Sequence, residues 1–120
     1  MVIDDNVDSA DVTAMFVEAL GAETRVAYDG EKGLALVLEF LPEFVLLDIG
    51  MPGMDGYETC RRIRAALGNS VSVVAMTGWG QERDKNDARA AGFDAHLTKP
   101  VDPAMLKRLL SESGASAAHL

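Results

Sequence analysis

The chain predicts an α/β fold: a five-stranded parallel sheet in the order 2-1-3-4-5, with five helices on both faces and a short first strand. Three observations predict it. Short apolar runs alternate with longer helix-like segments from end to end, which is the pattern of repeated βαβ units. The third run, Phe-Val-Leu-Leu at 44–47, is continuously apolar rather than alternating, as expected of a strand covered on both faces. Charged residues follow three of the runs: Asp4 and Asp5, Asp48, and Lys99. Open α/β sheets gather their chemistry at the carboxyl ends of the strands.

The elements follow in order. Residues 1–3 form the short first strand, and Asn6 or Asp8 caps a helix running to residue 20, with Ala10, Ala14 and Val17 at helical spacing. Gly21 stops that helix. Residues 24–28 are the second strand, Asp29-Gly30 a turn, and residues 32–40 a helix ended by Pro42. After the third strand, Pro52-Gly53 and Asp55-Gly56 turn the chain into a helix over 57–67. Arg61, Arg62 and Arg64 occupy its later turns, where cations suit the helix macrodipole.

Residues 71–76 are a fourth strand, apolar apart from Ser72, and 77–80 a loop. The segment 82–91 is a polar helix with little apolar stripe, expected to be marginal and mobile. Residues 95–98 are the fifth strand. Asp102-Pro103 starts the last helix, with Met105, Leu106, Leu109 and Leu110 on one face. From 111 onward the sequence turns small and polar and reads as frayed. The domain is expected to span 1–112, with 113–120 a flexible tail.

In the order 2-1-3-4-5, strands 1 and 3 are central neighbours, so Asp4, Asp5 and Asp48 meet at the topological switch point. An acidic residue leaving a buried strand is costly unless it has a partner or a task. Three converging carboxylates attract a hard divalent cation such as Mg²⁺, which prefers six oxygens and keeps several waters. Asp5 and Asp48 are its expected direct ligands, with Asp4 acting mainly through the metal's water shell and the Gly50 backbone carbonyl as a further oxygen. Asp48 is then the candidate nucleophile, since a carboxylate can accept a phosphoryl group as an acyl phosphate. Such a transfer needs positioning and charge neutralisation above all. Lys99 supplies a point charge to a phosphoryl oxygen. Thr77, ending the fourth strand, offers a hydroxyl, and Gly78 leaves room. A cis Lys99–Pro100 bond, accessible at modest cost, would turn the lysine back over the strand ends.

Composition excludes several classes. The net charge of -8 argues against nucleic-acid binding through a general field. Nothing approaches a membrane span, and no signal peptide is expected at the amino terminus. The single cysteine, Cys60, forms no internal disulfide and fits a cytoplasmic, reducing location. Gly78-Trp79-Gly80 lacks the third glycine of a dinucleotide fingerprint. His96 and His119 share no ligand spacing with Cys60, which disfavours zinc. Ser9 and Ser72 have no histidine partner for a hydrolytic triad, and Met51 and Met54 read as packing.

Four stretches carry a resemblance: Val-Ile-Asp-Asp-Asn at 2–6, Leu-Leu-Asp-Ile-Gly-Met-Pro-Gly-Met-Asp-Gly-Tyr-Glu at 46–58, Ala-Met-Thr-Gly at 75–78, and Leu-Thr-Lys-Pro-Val-Asp at 97–102. Together they resemble the receiver domain of two-component response regulators, over about residues 1–112. The stretch before Lys99 is closest to receivers attached to hybrid sensor histidine kinases. The resemblance implies a phosphoacceptor at Asp48, Mg²⁺ at Asp4, Asp5, Asp48 and the Gly50 carbonyl, and phosphoryl contacts from Thr77 and Lys99. It implies a sensor histidine kinase or histidine phosphotransfer protein as partner, and a signal carried by the surface of helix 4, strand 5 and helix 5. It leaves the oligomeric state open.

Two features depart from the family. The first strand is shorter than usual, which removes ladder bonds on both its sides. His96 stands where Tyr or Phe often serves as a rotamer switch. Histidine would couple such a switch to pH, because its charge changes near neutrality. Trp79, two residues after Thr77, is expected over the crevice, where its emission would report on the site. Two other functions compete with signalling. An aspartate-nucleophile phosphohydrolase resembling haloacid-dehalogenase-like phosphatases needs a second Asp two residues after the nucleophile, and Gly50 stands there. A degenerate receiver acting only as a protein-binding module would not need the complete acidic, Thr and Lys set.

Overall fold

The long apolar run of the sequence becomes the central strand. A computed structural model of the chain describes residues 1–51, 53–78 and 90–112. Strand β3 (Phe44–Asp48) is buried along its full length. It pairs with β1 (Val2–Ile3) on one side and β4 (Ser72–Thr77) on the other. β2 (Val26–Ala27) lies outside β1, and β5 (Ala95–Thr98) outside β4. All pairs are parallel, and the order is β2-β1-β3-β4-β5, as the sequence predicts. β2 is shorter than expected, because its only partner is the two-residue β1.

Alternation along the strands divides the core between two faces. Ile3, Val45, Leu47, Val73 and Ala75 point to one side, where Val37 of α2 (Gly30–Phe40) and Cys60 and Ile63 of α3 (Gly56–Leu67) cover them. Val2, Phe44, Leu46, Val74, Met76 and Leu97 point to the other. There Ala10, Ala14 and Val17 of α1 (Val7–Ala19) and Leu106 and Leu110 of the C-terminal helix (Pro103–Glu112) cover them. Burying one such aliphatic side chain is worth about 1.5–3 kcal/mol.

Side-chain caps start the first three helices. Asn6, Asp29 and Asp55 accept from the amides of Ser9, Lys32 and Glu58 at 3.0, 2.7 and 2.9 Å. The Asp29 cap places the start of α2 at Gly30, two residues earlier than the sequence suggested. The C-terminal helix continues through 111 and 112, which corrects the expected fraying there. Leu106 and Leu110 hold that helix against the sheet. Among the residues of the expected helix over 82–91, those at 90–91 are helical. The rest of that segment, Trp79 and the expected tail at 113–120 lie outside the described residues.

Gly56 opens α3 directly behind the functional end of β3. A Cβ built there would lie 2.5 Å from the Asp48 carbonyl oxygen and 2.5 Å from Ile49 Cα. Both neighbours are backbone and cannot rotate away. Gly56→Ala is therefore expected to lower the unfolding free energy by about 1–3 kcal/mol, read as a lower urea midpoint. An unchanged midpoint would mean that the loop over 49–55 yields freely.

Candidate functional site

Four of the five strands, β1, β3, β4 and β5, contribute groups from their ends. Asp4 follows β1, where its amide donates to the Ala27 carbonyl at 3.0 Å. Its Oδ1 accepts from the Asn6 amide at 3.0 Å, which bends the chain toward α1. Asp48 is the last residue of β3, and its Oδ1 accepts from the Gly50 amide at 3.0 Å. Thr77 is the last residue of β4 and is buried. Its hydroxyl donates to the Leu97 carbonyl at a long 3.4 Å, and its carbonyl accepts from the Lys99 amide at 2.6 Å. The Lys99–Pro100 bond is cis.

Lys99 bridges the two buried carboxylates. Its Nζ lies 2.8 Å from Asp4 Oδ2 and 3.3 Å from Asp48 Oδ2. Asp4 is 0% exposed and Asp48 4% exposed, so both charges are held away from water. Asp4 Oδ2 is a buried oxygen whose one close partner among the described residues is this ammonium. Burial pushes the Asp4 carboxyl above the usual aspartate range, against the opposing pull of Lys99. Burial disfavours the charged form of Lys99, but its contact with Asp4 and the charge of Asp48 outweigh this and hold the ammonium above its ordinary value.

Asp5, exposed at the rim, completes a cluster in which one oxygen each from Asp4, Asp5 and Asp48 lie within 4.8 Å of one another. Among the described residues, three carboxylates face one ammonium. The donor set is all oxygen. These residues suit a hard divalent cation, which takes carboxylate oxygens and retains water.

The structure thus brings together Asp4, Asp5, Asp48 and Lys99, with Thr77 at the neighbouring strand end and Gly50 bonded to Asp48. His96 is not among them. It sits on the exposed side of β5, in register with Ala75. The double contact of Lys99 with Asp4 and Asp48 was not legible as a pair interaction. The sequence could signal only a lysine after a strand and carboxylates after two others. Arg64 was likewise expected only as a cation near a helix end. Its side chain in fact bonds Gly68 and Val71 just beyond the helix, and Gly92 and Asp94, which are too distant in sequence to foresee.

A doubly covered parallel sheet with an acidic crevice and a lysine at its switch point is the architecture of a phosphorelay receiver. The model of the response regulator receiver domain matches residues 1–111, and the chain belongs to that family. It is 36% identical over 113 residues to a 14.6 kDa protein of the sodA1 3′ region of Leptolyngbya boryana, covering 93% of this chain and 86% of that protein. It is 34% identical over 103 residues to the DNA-binding dual master transcriptional regulator RpaA of Synechocystis sp., covering 85% of this chain and 43% of that regulator. Among solved structures, the signal receiver domain of a DNA-binding response regulator from Colwellia psychrerythraea 34H superposes with a TM-score of 0.81 at 30% identity, covering 92% of this chain and 93% of that one. The chain accordingly carries the receiver domain of two-component response regulators.

The raised Asp4 value has a sign. A carboxyl whose folded value lies above its unfolded one stabilises the fold fully below the ordinary value of 3.8 and loses that contribution as pH rises through the folded value. Metal-free protein should therefore carry a penalty from ionised Asp4 at neutral pH. Asp4→Asn keeps an oxygen for the Asn6 amide and removes the charge. Its urea midpoint should exceed the parent's at pH 7, and the gain should shrink as pH falls toward 3.8. A variant less stable than the parent at pH 7 would show that Lys99 fully compensates Asp4.

Proposed function

We propose that Asp48 accepts a phosphoryl group from a phosphohistidine on a sensor histidine kinase or histidine phosphotransfer protein in the cytoplasm. The observation that carries this reading is the placement of Lys99 between Asp4 and Asp48, at 2.8 and 3.3 Å, beside the exposed Asp5. In the transfer, an Asp48 carboxylate oxygen bonds to phosphorus. The phosphorus–nitrogen bond breaks, and its electron pair returns to the donor imidazole. Asp5 and Asp48 would hold Mg²⁺ directly, with Asp4 acting through its water and the Gly50 carbonyl as a further oxygen. When bound, Mg²⁺ neutralises charge on the phosphoryl oxygens.

The remaining work falls to the chain's own groups. The Gly50 amide holds Asp48 Oδ1 in place. Lys99, already aimed at Asp48 Oδ2, donates to a phosphoryl oxygen. The Thr77 hydroxyl leaves its long bond to Leu97 and donates to another. His96, exposed here, turns inward as Thr77 moves and changes the surface offered to a partner. A domain spanning 1–112 belongs to the same reading. Hydrolysis of the acyl phosphate, assisted by the same groups, returns the domain to its starting state.

The test is incubation with a small acyl-phosphate donor and Mg²⁺, followed by intact mass. One added phosphoryl group is expected, absent in Asp48→Asn. A label that persists in that variant, or maps to Asp55, overturns the assignment. Asp5→Ala should lose the calorimetric response to Mg²⁺, because it removes a direct ligand. Unchanged Mg²⁺ affinity in Asp5→Ala would remove Asp5 from the metal site.

A further inference from the structure

Burial alone secures β5 poorly. Among the described residues it is an edge strand, paired on one side only, and Leu97 is the single buried residue among its four. A strand resists slipping chiefly because a one-residue shift turns its apolar side chains out of the core. β3 has five buried residues to enforce that rule, and β4 also has five. Yet β5 must keep its register, since Lys99 follows it directly and reaches both Asp4 and Asp48.

The missing constraint lies at the strand's entry. Arg64, in the last turn of α3, has a side chain only 15% exposed. Its Nε donates to the Gly92 carbonyl at 2.9 Å, and one terminal nitrogen donates to the carbonyls of Gly68, at 2.9 Å, and Val71. The other terminal nitrogen donates to Asp94 Oδ2 at 2.6 Å. Asp94 then grips β4 twice, its Oδ2 accepting from the Val73 amide and its own amide donating to the Val73 carbonyl, both at 2.8 Å. This double grip immediately precedes the first register pair of the two strands, Val74 with Ala95.

The surrounding residues fit the same clamp. Gly92, at φ 104, lies against the arginine stem, and a Cβ there would stand 2.8 Å from Arg64 Cγ. The Phe93 ring meets Tyr57 of α3 edge to face, with centroids 5.9 Å apart. A planar guanidinium serves several acceptors in fixed directions, which a lysine cannot do. α3 also abuts the Asp48 backbone through Gly56 at its other end, so one helix touches both the Asp48 loop and the β5 entry.

We propose that Arg64 and Asp94 are positioning residues for Lys99: their clamp fixes the register of β5 on β4, and so the place of the ammonium beside Asp48. This rests on the phosphoacceptor function proposed above. Lys99 would contact a phosphoryl mimic but is not a metal ligand, so the two binding events separate its placement from the metal site.

The experiment is calorimetric binding of Mg²⁺ alone, and of beryllofluoride with Mg²⁺ present, to the parent, Lys99→Ala, Arg64→Gln and the double variant. Arg64→Gln should bind Mg²⁺ like the parent and beryllofluoride about tenfold more weakly. The double variant should bind beryllofluoride no more weakly than Lys99→Ala, because both changes remove one interaction. Parent-like beryllofluoride affinity in folded Arg64→Gln, or additive losses in the double variant, overturns the proposal. If Arg64→Gln does not fold, Asp94→Ala is carried through the same cycle under the same criteria. It removes the one oxygen that accepts from both Arg64 and the Val73 amide. A parent that takes up no beryllofluoride overturns the phosphoacceptor reading itself and the proposal with it, a result distinct from a parent that binds and a clamp variant that binds equally well.

Discussion

Among the described residues, one ammonium serves two buried carboxylates, and the geometry of the site depends on that shared contact. Lys99 contacts both Asp4 and Asp48 while Asp5 stands at the rim. Buried charges cost several kcal/mol each unless paired and hydrogen-bonded. Here the pairing is shared, with one ammonium between two carboxylates. The fold therefore carries local instability at the place where it would bind a cation and a phosphoryl group. The compensation is spatially separate. β3 and β4 run through a core covered on both faces, from Val45 and Val73 on one side to Leu46 and Val74 on the other.

The same sheet that stabilises the molecule also sets the site's geometry. Parallel strands finish at one edge, so Asp4, Asp48 and Thr77 arrive there simply because they follow or end neighbouring strands. Their relative heights come from strand register, which the alternating core enforces in β3 and β4. β5 lacks that insurance, and Arg64 supplies a substitute through backbone carbonyls and Asp94. Site precision thus has two sources: core burial for the carboxylates, and a polar clamp for the lysine.

Much of this was legible in the sequence because it depends on local pattern. Continuous apolar runs with acidic ends gave away the parallel sheet, and Asp48, Asp4, Asp5 and Lys99 could be placed at one edge from topology alone. Short turns and caps were also local, as Asn6 and Asp55 show. What escaped was long-range or negative information. Nothing near Gly56 announces that the Asp48 carbonyl fills the space of its missing side chain. Nothing near Arg64 announces acceptors at Gly92 and Asp94. The continuation of the C-terminal helix through 112 escaped because the small polar residues after 110 resemble a tail. The leucines one turn earlier are what dock that helix on the sheet.

The hydroxyl of Thr77 shows how a charge at Asp48 can become a change elsewhere. Its bond to the Leu97 carbonyl, at 3.4 Å, is neutral and long, well beyond the usual range for a hydroxyl donor. A phosphoryl oxygen on Asp48 would offer an ionised acceptor, and charge-assisted bonds are about twice as strong as neutral ones. The difference between those two bonds is the differential affinity that a two-state switch requires. It acts on residues of β4 and β5, the pair also joined by the Lys99 amide and the Thr77 carbonyl at 2.6 Å. A signal would therefore enter at the centre of the sheet and leave along its edge, where β5 exposes His96 and Thr98. The strand least held by burial is the one best placed to answer, and the Arg64 clamp at its entry confines that response to the end nearer the site.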